Sequence, residues 1–86
     1  MKHARPDYNR IQDPSGKIPA DEPVFVIRAQ DMSAPATLRF WAEEHHRNGG
    51  DTAMSDLVEA FAVEMESWQE SRKVKVADMP NDEMTL

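Results

Sequence analysis

The chain has 86 residues, room for one small domain, and its core candidates are two Trp, three Phe, one Tyr and a scatter of methionines and aliphatics. It has no cysteine, which excludes disulfides, thiolate zinc sites, iron–sulfur clusters and a cysteine nucleophile. The formal net charge of −6 is uneven: residues 1–30 carry five basic and four acidic groups, residues 31–86 five basic and twelve acidic, so most of the chain repels a phosphate backbone.

Residues 1–7 read as a flexible N-terminus. Tyr8–Gln12 alternates weakly, as a short strand or an extended arm. Asp13-Pro14-Ser15-Gly16 is a turn signal, because Asp bonds the backbone ahead of it, Pro presets φ and Gly closes the turn. Lys17–Pro23 is expected to be extended, each Pro biasing its predecessor away from helix. Val24–Ala29 is the strongest strand candidate, β-branched and aromatic. Its backbone needs a partner, and Tyr8–Gln12, Lys73–Ala77 or a second subunit are the candidates.

Ser33-Ala34-Pro35 predicts a helix start with Ser33 as cap. Leu38, Trp41, Ala42 and His45 then recur at helical spacing, while Phe40 lies off that stripe. Asn48-Gly49-Gly50 stops this helix. Asp51 is placed to cap a second one, whose Met54, Leu57, Val58, Phe61, Met65 and Trp68 form an apolar stripe predicted to be core. Its other surface is acidic, and Arg72 and Lys73 complement the dipole at its end. The short link predicts antiparallel neighbours. Val74–Val76 can form a strand, and residues 78–86 read as a polar tail.

The expected fold class is therefore α+β, with an N-terminal extended arm and short β-strands packed on an antiparallel helix pair. Residues 8–77 form the single small domain. Unpaired strand edges and Phe40 need cover, and a homodimer would supply it. No apolar run reaches the length of a membrane span, and Met1–Asp7 lacks the apolar core of a signal peptide, so no membrane association is expected and the host cell cytoplasm is the expected compartment.

The elements I-Q-D-P-S-G-K-I-P at Ile11–Pro19 and E-P-V-F-V-I-R at Glu22–Arg28, within a stretch running from Tyr8 to Trp68, resemble a group of small uncharacterised phage and prophage proteins of proteobacteria. The resemblance carries no catalytic or ligand residues. It implies an accessory protein that acts by binding: blocking a host defence, redirecting a host enzyme or assisting virion assembly.

Three constellations are candidates for chemistry. His45-His46 are adjacent, so on a helix they point about 100° apart and do not share one ion; no metal or cofactor is expected. Arg10-Ile11-Gln12-Asp13 and Arg28-Ala29-Gln30-Asp31 repeat R-x-Q-D. Paired side by side, Arg10, Gln12, Asp13, Arg28, Gln30 and Asp31 would suit a nucleotide or phosphate; separately, both Asp residues are ordinary turn and cap formers. Glu59, Glu66 and Glu70 share one side of the second helix and, with Phe40, form the expected partner-binding surface. The alternative is a solvated helix face. The five serines lie outside any nucleophile-elbow context, and Walker and G-x-G-x-x-G loops are absent. The expectation is a non-enzymatic, anti-defence type of inhibitor or redirector of a host protein, one with a basic nucleic-acid groove such as a CRISPR-type complex, without direct nucleic-acid contact. A small-molecule binder and a virion assembly component are the alternatives.

Overall fold

The structure, a computed structural model, describes residues 1–72 and 74–80. Lys73 and residues 81–86, the greater part of the expected polar tail, lie outside the described residues. The chain divides into two compact units, Met1–Val26 with the residues from Asp78, and Ile27–Ala77. The second unit holds a helix pair and the first a two-stranded sheet, an α+β architecture.

In the first unit, β1 (Lys2–His3) pairs in parallel with β2 (Pro23–Val24), in the register Lys2 to Pro23 and His3 to Val24. Residues expected to fray thus supply a strand. His3 is buried, meets the Tyr8 ring edge-on at 6.4 Å and bonds the Ile11 carbonyl through Nε2. Tyr8 ends a 3-10 helix, Pro6–Tyr8, rather than opening a strand. The strand expected over Val24–Ala29 is short: only Pro23–Val24 joins the ladder, and Phe25 is exposed. The Asp13–Gly16 turn forms as predicted. The Gly16 N–H bonds the Asp13 carbonyl at 3.1 Å, with Gly16 at φ 68°, where a glycine is favoured.

In the second unit, α1 (Ala34–Arg47) and α2 (Thr52–Glu70) form a helical hairpin. Ala42 of α1 meets Ser55 of α2, and Arg39 meets Glu66, so residue numbers fall along one helix as they rise along the other. Ser33 does not cap α1 with its side chain. Asp31 Oδ1 accepts the Ser33 N–H at 2.8 Å, and the Thr37 hydroxyl donates to the Ser33 carbonyl. Asp51 caps α2 as expected, its carboxylate accepting the Met54 N–H at 2.7 Å. Gly49, at φ 80°, ends α1. The segment around Lys75 does pair, but through Gln30–Met32 rather than 24–29: Lys75 donates to the Gln30 carbonyl and accepts from Met32. Gln69 ties that segment to α2 by donating to the carbonyls of Ala29 and Asp31 at 2.8 and 2.9 Å.

The seam between the helices takes only Val58 and Met65 from the predicted stripe. On α2 the residues that turn inward are Ser55, Val58, Ala62, Met65 and Gln69, and among the described residues of the two helices the buried apolar ones are Ala34, Pro35, Ala42 and Ala62. Alanine and serine let the helix backbones approach closely. The larger Met54, Leu57, Phe61 and Trp68 are displaced to one side of the seam.

Candidate functional site

Each residue of a helix turns by about 100°. On α2 this puts the seam residues in an arc of about 80°, flanked by two arcs of opposite character. On one side, Asp56, Glu59, Glu66 and Glu70 occupy about 80°. On the other, Met54, Leu57, Phe61 and Trp68 occupy about 60°. On α1, Arg39 and His46 flank the seam on one side and Trp41 on the other. The contact between Arg39 and Glu66 fixes which flank meets which: the acidic side of α2 adjoins Arg39 and His46, and the apolar side adjoins Trp41.

On the acidic side, the Arg39 guanidinium donates to both oxygens of Glu66 at 2.8 and 2.7 Å. Hydrogen bonding from Arg39 is the main reason the Glu66 carboxyl sits below its usual range, with desolvation opposing and the Arg39 charge adding to it. Arg39 is raised by the same bond. Nearer the interhelical turn, a groove of about 510 Å³ is lined by Ala42, Glu43, His46, Arg47, Ser55 and Glu59 among others. Arg47 is engaged with Glu44. Of the expected partner-binding residues, Glu59 and Glu70 are exposed on this side and Glu66 shares its charge with Arg39. Phe40 is 63% exposed on the back of α1, away from α2 and apart from the acidic arc.

The spacing of the apolar side predicts core, and the structure corrects this. Trp41, Met54, Leu57, Phe61 and Trp68 are between 37% and 59% exposed. Trp41 stacks on His45, ring centroids 4.8 Å apart and 12° from parallel, and Arg72 lies 5.1 Å over the Trp68 ring. The Ser55–Ala62 stripe of small residues, spaced by seven, was the signal for the true seam.

The R-x-Q-D repeats are not paired in the strand ladders or the bridge of the described residues. Asp13 is taken up by its own turn, accepting from the Ser15 N–H and hydroxyl, the Lys17 N–H and the Ile18 N–H, and these bonds, Ser15 foremost, hold its carboxyl below the usual range. Gln12 donates to the Asn9 carbonyl at 2.7 Å, and Asp31 holds the start of α1. Arg10 and Arg28 are exposed and Gln30 is half-buried; the backbone carbonyl of Gln30 serves the Lys75 bridge. Both aspartates thus bond the backbone of their own local turns. Among the described residues, no group of three or more His, Asp or Glu is arranged to hold a metal ion, and no helix is long and apolar enough to cross a membrane.

Comparison of the chain with protein-family models, curated proteins and solved structures returns no match.

Proposed function

We propose that this chain is a non-enzymatic accessory protein of phage type that acts in the host cytoplasm by binding a host protein and inhibiting or redirecting it, presenting the acidic side of its helical hairpin to a basic surface. The observation that carries the reading is the clustering of four carboxylates on one arc of α2, around the exposed Val63. Asp56, Glu59, Glu66 and Glu70 line one arc of α2, with Arg39 the basic residue paired into it. Carboxylates at this spacing on a rigid helix match a groove lined by Arg and Lys, of the kind that holds nucleic acid in a defence complex. The resemblance of the Tyr8–Trp68 stretch to phage and prophage proteins supports the same class of action.

A tagged full-length chain, incubated with nuclease-treated host lysate at low and at raised salt, tests this. The expected result is a stoichiometric host protein whose capture falls with salt and drops at least about tenfold for Glu59→Lys/Glu70→Lys, a pair that leaves the Arg39–Glu66 contact intact. Equal capture by that variant overturns the acidic-side reading. An eluate holding only the bait overturns the host-protein reading altogether.

A further inference from the structure

We infer that the apolar side of the hairpin is a self-association surface, on which a second copy of this chain docks about a two-fold axis passing near Phe61 to form a four-helix bundle. The first argument is the shortage of core. Among the described residues the buried apolar side chains are three alanines and two prolines, and no large side chain is fully buried. Trp41, Met54, Leu57, Phe61 and Trp68 meanwhile stand exposed on one side of the same hairpin. A chain with so little buried apolar surface needs cover whenever it is folded, and a second copy is the partner always present with it.

The second argument is the spacing on α2. Met54, Leu57, Phe61 and Trp68 lie at −7, −4, 0 and +7 about Phe61, and the half-buried Met65, on the border with the seam, lies at +4. This pattern reads the same in both directions. Two α2 helices crossing in opposite directions at Phe61 therefore set Met54 of one copy against Trp68 of the other, and Leu57 against Met65, while Phe61 meets its own equivalent. That is the self-complementarity an isologous interface requires. A thioether against an indole and aliphatics against one another are favourable matches. The stripe is about 21 Å long at 1.5 Å per residue, comparable to the contact length of helices in a bundle.

Area and charge agree. With large side chains offering roughly 150–250 Å² each, these exposures leave about 450 Å² on one copy, and mutual docking removes about twice that. That is the size of a weak, reversible interface, below the about 1,200 Å² at which stable ones begin. Glu64, the acid bordering the apolar side, lies at its outer rim. Asp56, Glu59, Glu66 and Glu70 lie on the opposite flank of the seam, so docking leaves them facing outward and the two −6 chains apart where they are most charged.

Sedimentation velocity of the unmodified full chain, from micromolar to submillimolar concentration, gives the first readout, and the absence of natural cysteines gives the second. The expected results are a particle of twice the chain mass that persists at raised salt, and a disulfide-linked dimer from Phe61→Cys under mild oxidation, at least about tenfold more abundant than from Phe40→Cys on the back of α1. Three results overturn the inference. The first is an unmodified chain that stays monomeric throughout. The second is equal cross-linking at positions 61 and 40. The third is a dimer that dissociates as salt rises.

Discussion

Arg39 and Glu66, 27 positions apart, clamp the hairpin on one side only: two guanidinium nitrogens meet two carboxylate oxygens at 2.8 and 2.7 Å. The bond holds Glu66 below the usual carboxylate range. A group whose folded pKa is depressed contributes stability that is complete above its unfolded pKa and is lost as pH falls through the folded one. Any contribution of this pair should therefore fade in acid below the ordinary Glu range and shrink with salt, both side chains being part-exposed. A carboxyl-carbon NMR titration should show the Glu66 midpoint moving up in Arg39→Ala. An unmoved midpoint would mean the pair does not form in solution.

Ala62 and Phe61 are neighbours in sequence with opposite roles, Ala62 sealed in the seam and Phe61 outside it. Enlarging the seam in Ala62→Leu should cost about 1–3 kcal/mol at any protein concentration, because the helix backbones must separate. Phe61→Ala removes a side chain only half-covered by its own chain, a loss of about 1 kcal/mol within one copy. Urea denaturation at two concentrations checks this. The Phe61→Ala deficit should grow with concentration if a second copy covers the ring, and a full 3–5 kcal/mol loss in dilute monomer would restore Phe61 to the core.

At Gly50 a Cβ would run into the His45 ring, which stacks on Trp41. Gly50→Ala is therefore expected to swing His45 off the indole, at about 1–3 kcal/mol. The reporter is Trp41 emission in a Trp68→Phe background, which should change in intensity or wavelength. A spectrum and a melting midpoint identical to the parent would show that the ring yields freely.

The α2 cap is the most local of these contacts. Asp51→Ala removes the acceptor of the Met54 N–H and should lower stability by about 1 kcal/mol, with Asp51→Asn or Asp51→Ser losing much less. Amide exchange at Met54 should speed up more than at Ala62. Equal protection in the variant would show that another group takes over the cap.

Much of the helical hairpin was legible because its signals are short-range. Asp51 caps, Gly49 adopts the left-handed turn, and Asp13-Pro14-Ser15-Gly16 turns because each choice is decided within a few residues. Ser33 looked like an equally good cap and does occupy the N-cap position, but its side chain makes no cap bond, and Asp31, two positions earlier, accepts the Ser33 N–H in a local turn. The charge segregation on α2 was also readable, since a helix of any packing puts Glu59, Glu66 and Glu70 on one side.

Tertiary structure alone decided which apolar residues of α2 face α1. Its apolar sector, running from Leu57 and Phe61 round to Ser55 and Ala62, is wider than one helix contact, so periodicity permits either half to be the seam. Close approach of two backbones favours Ala42, Ser55 and Ala62 over bulkier side chains, and the large residues are left on the flank. Strand pairing was likewise out of reach: Val24 pairs with His3 rather than with residues 8–12 or 73–77. A β-ladder is a contact between distant segments, and its partner is chosen by how the intervening chain closes, not by the residues of the strand itself.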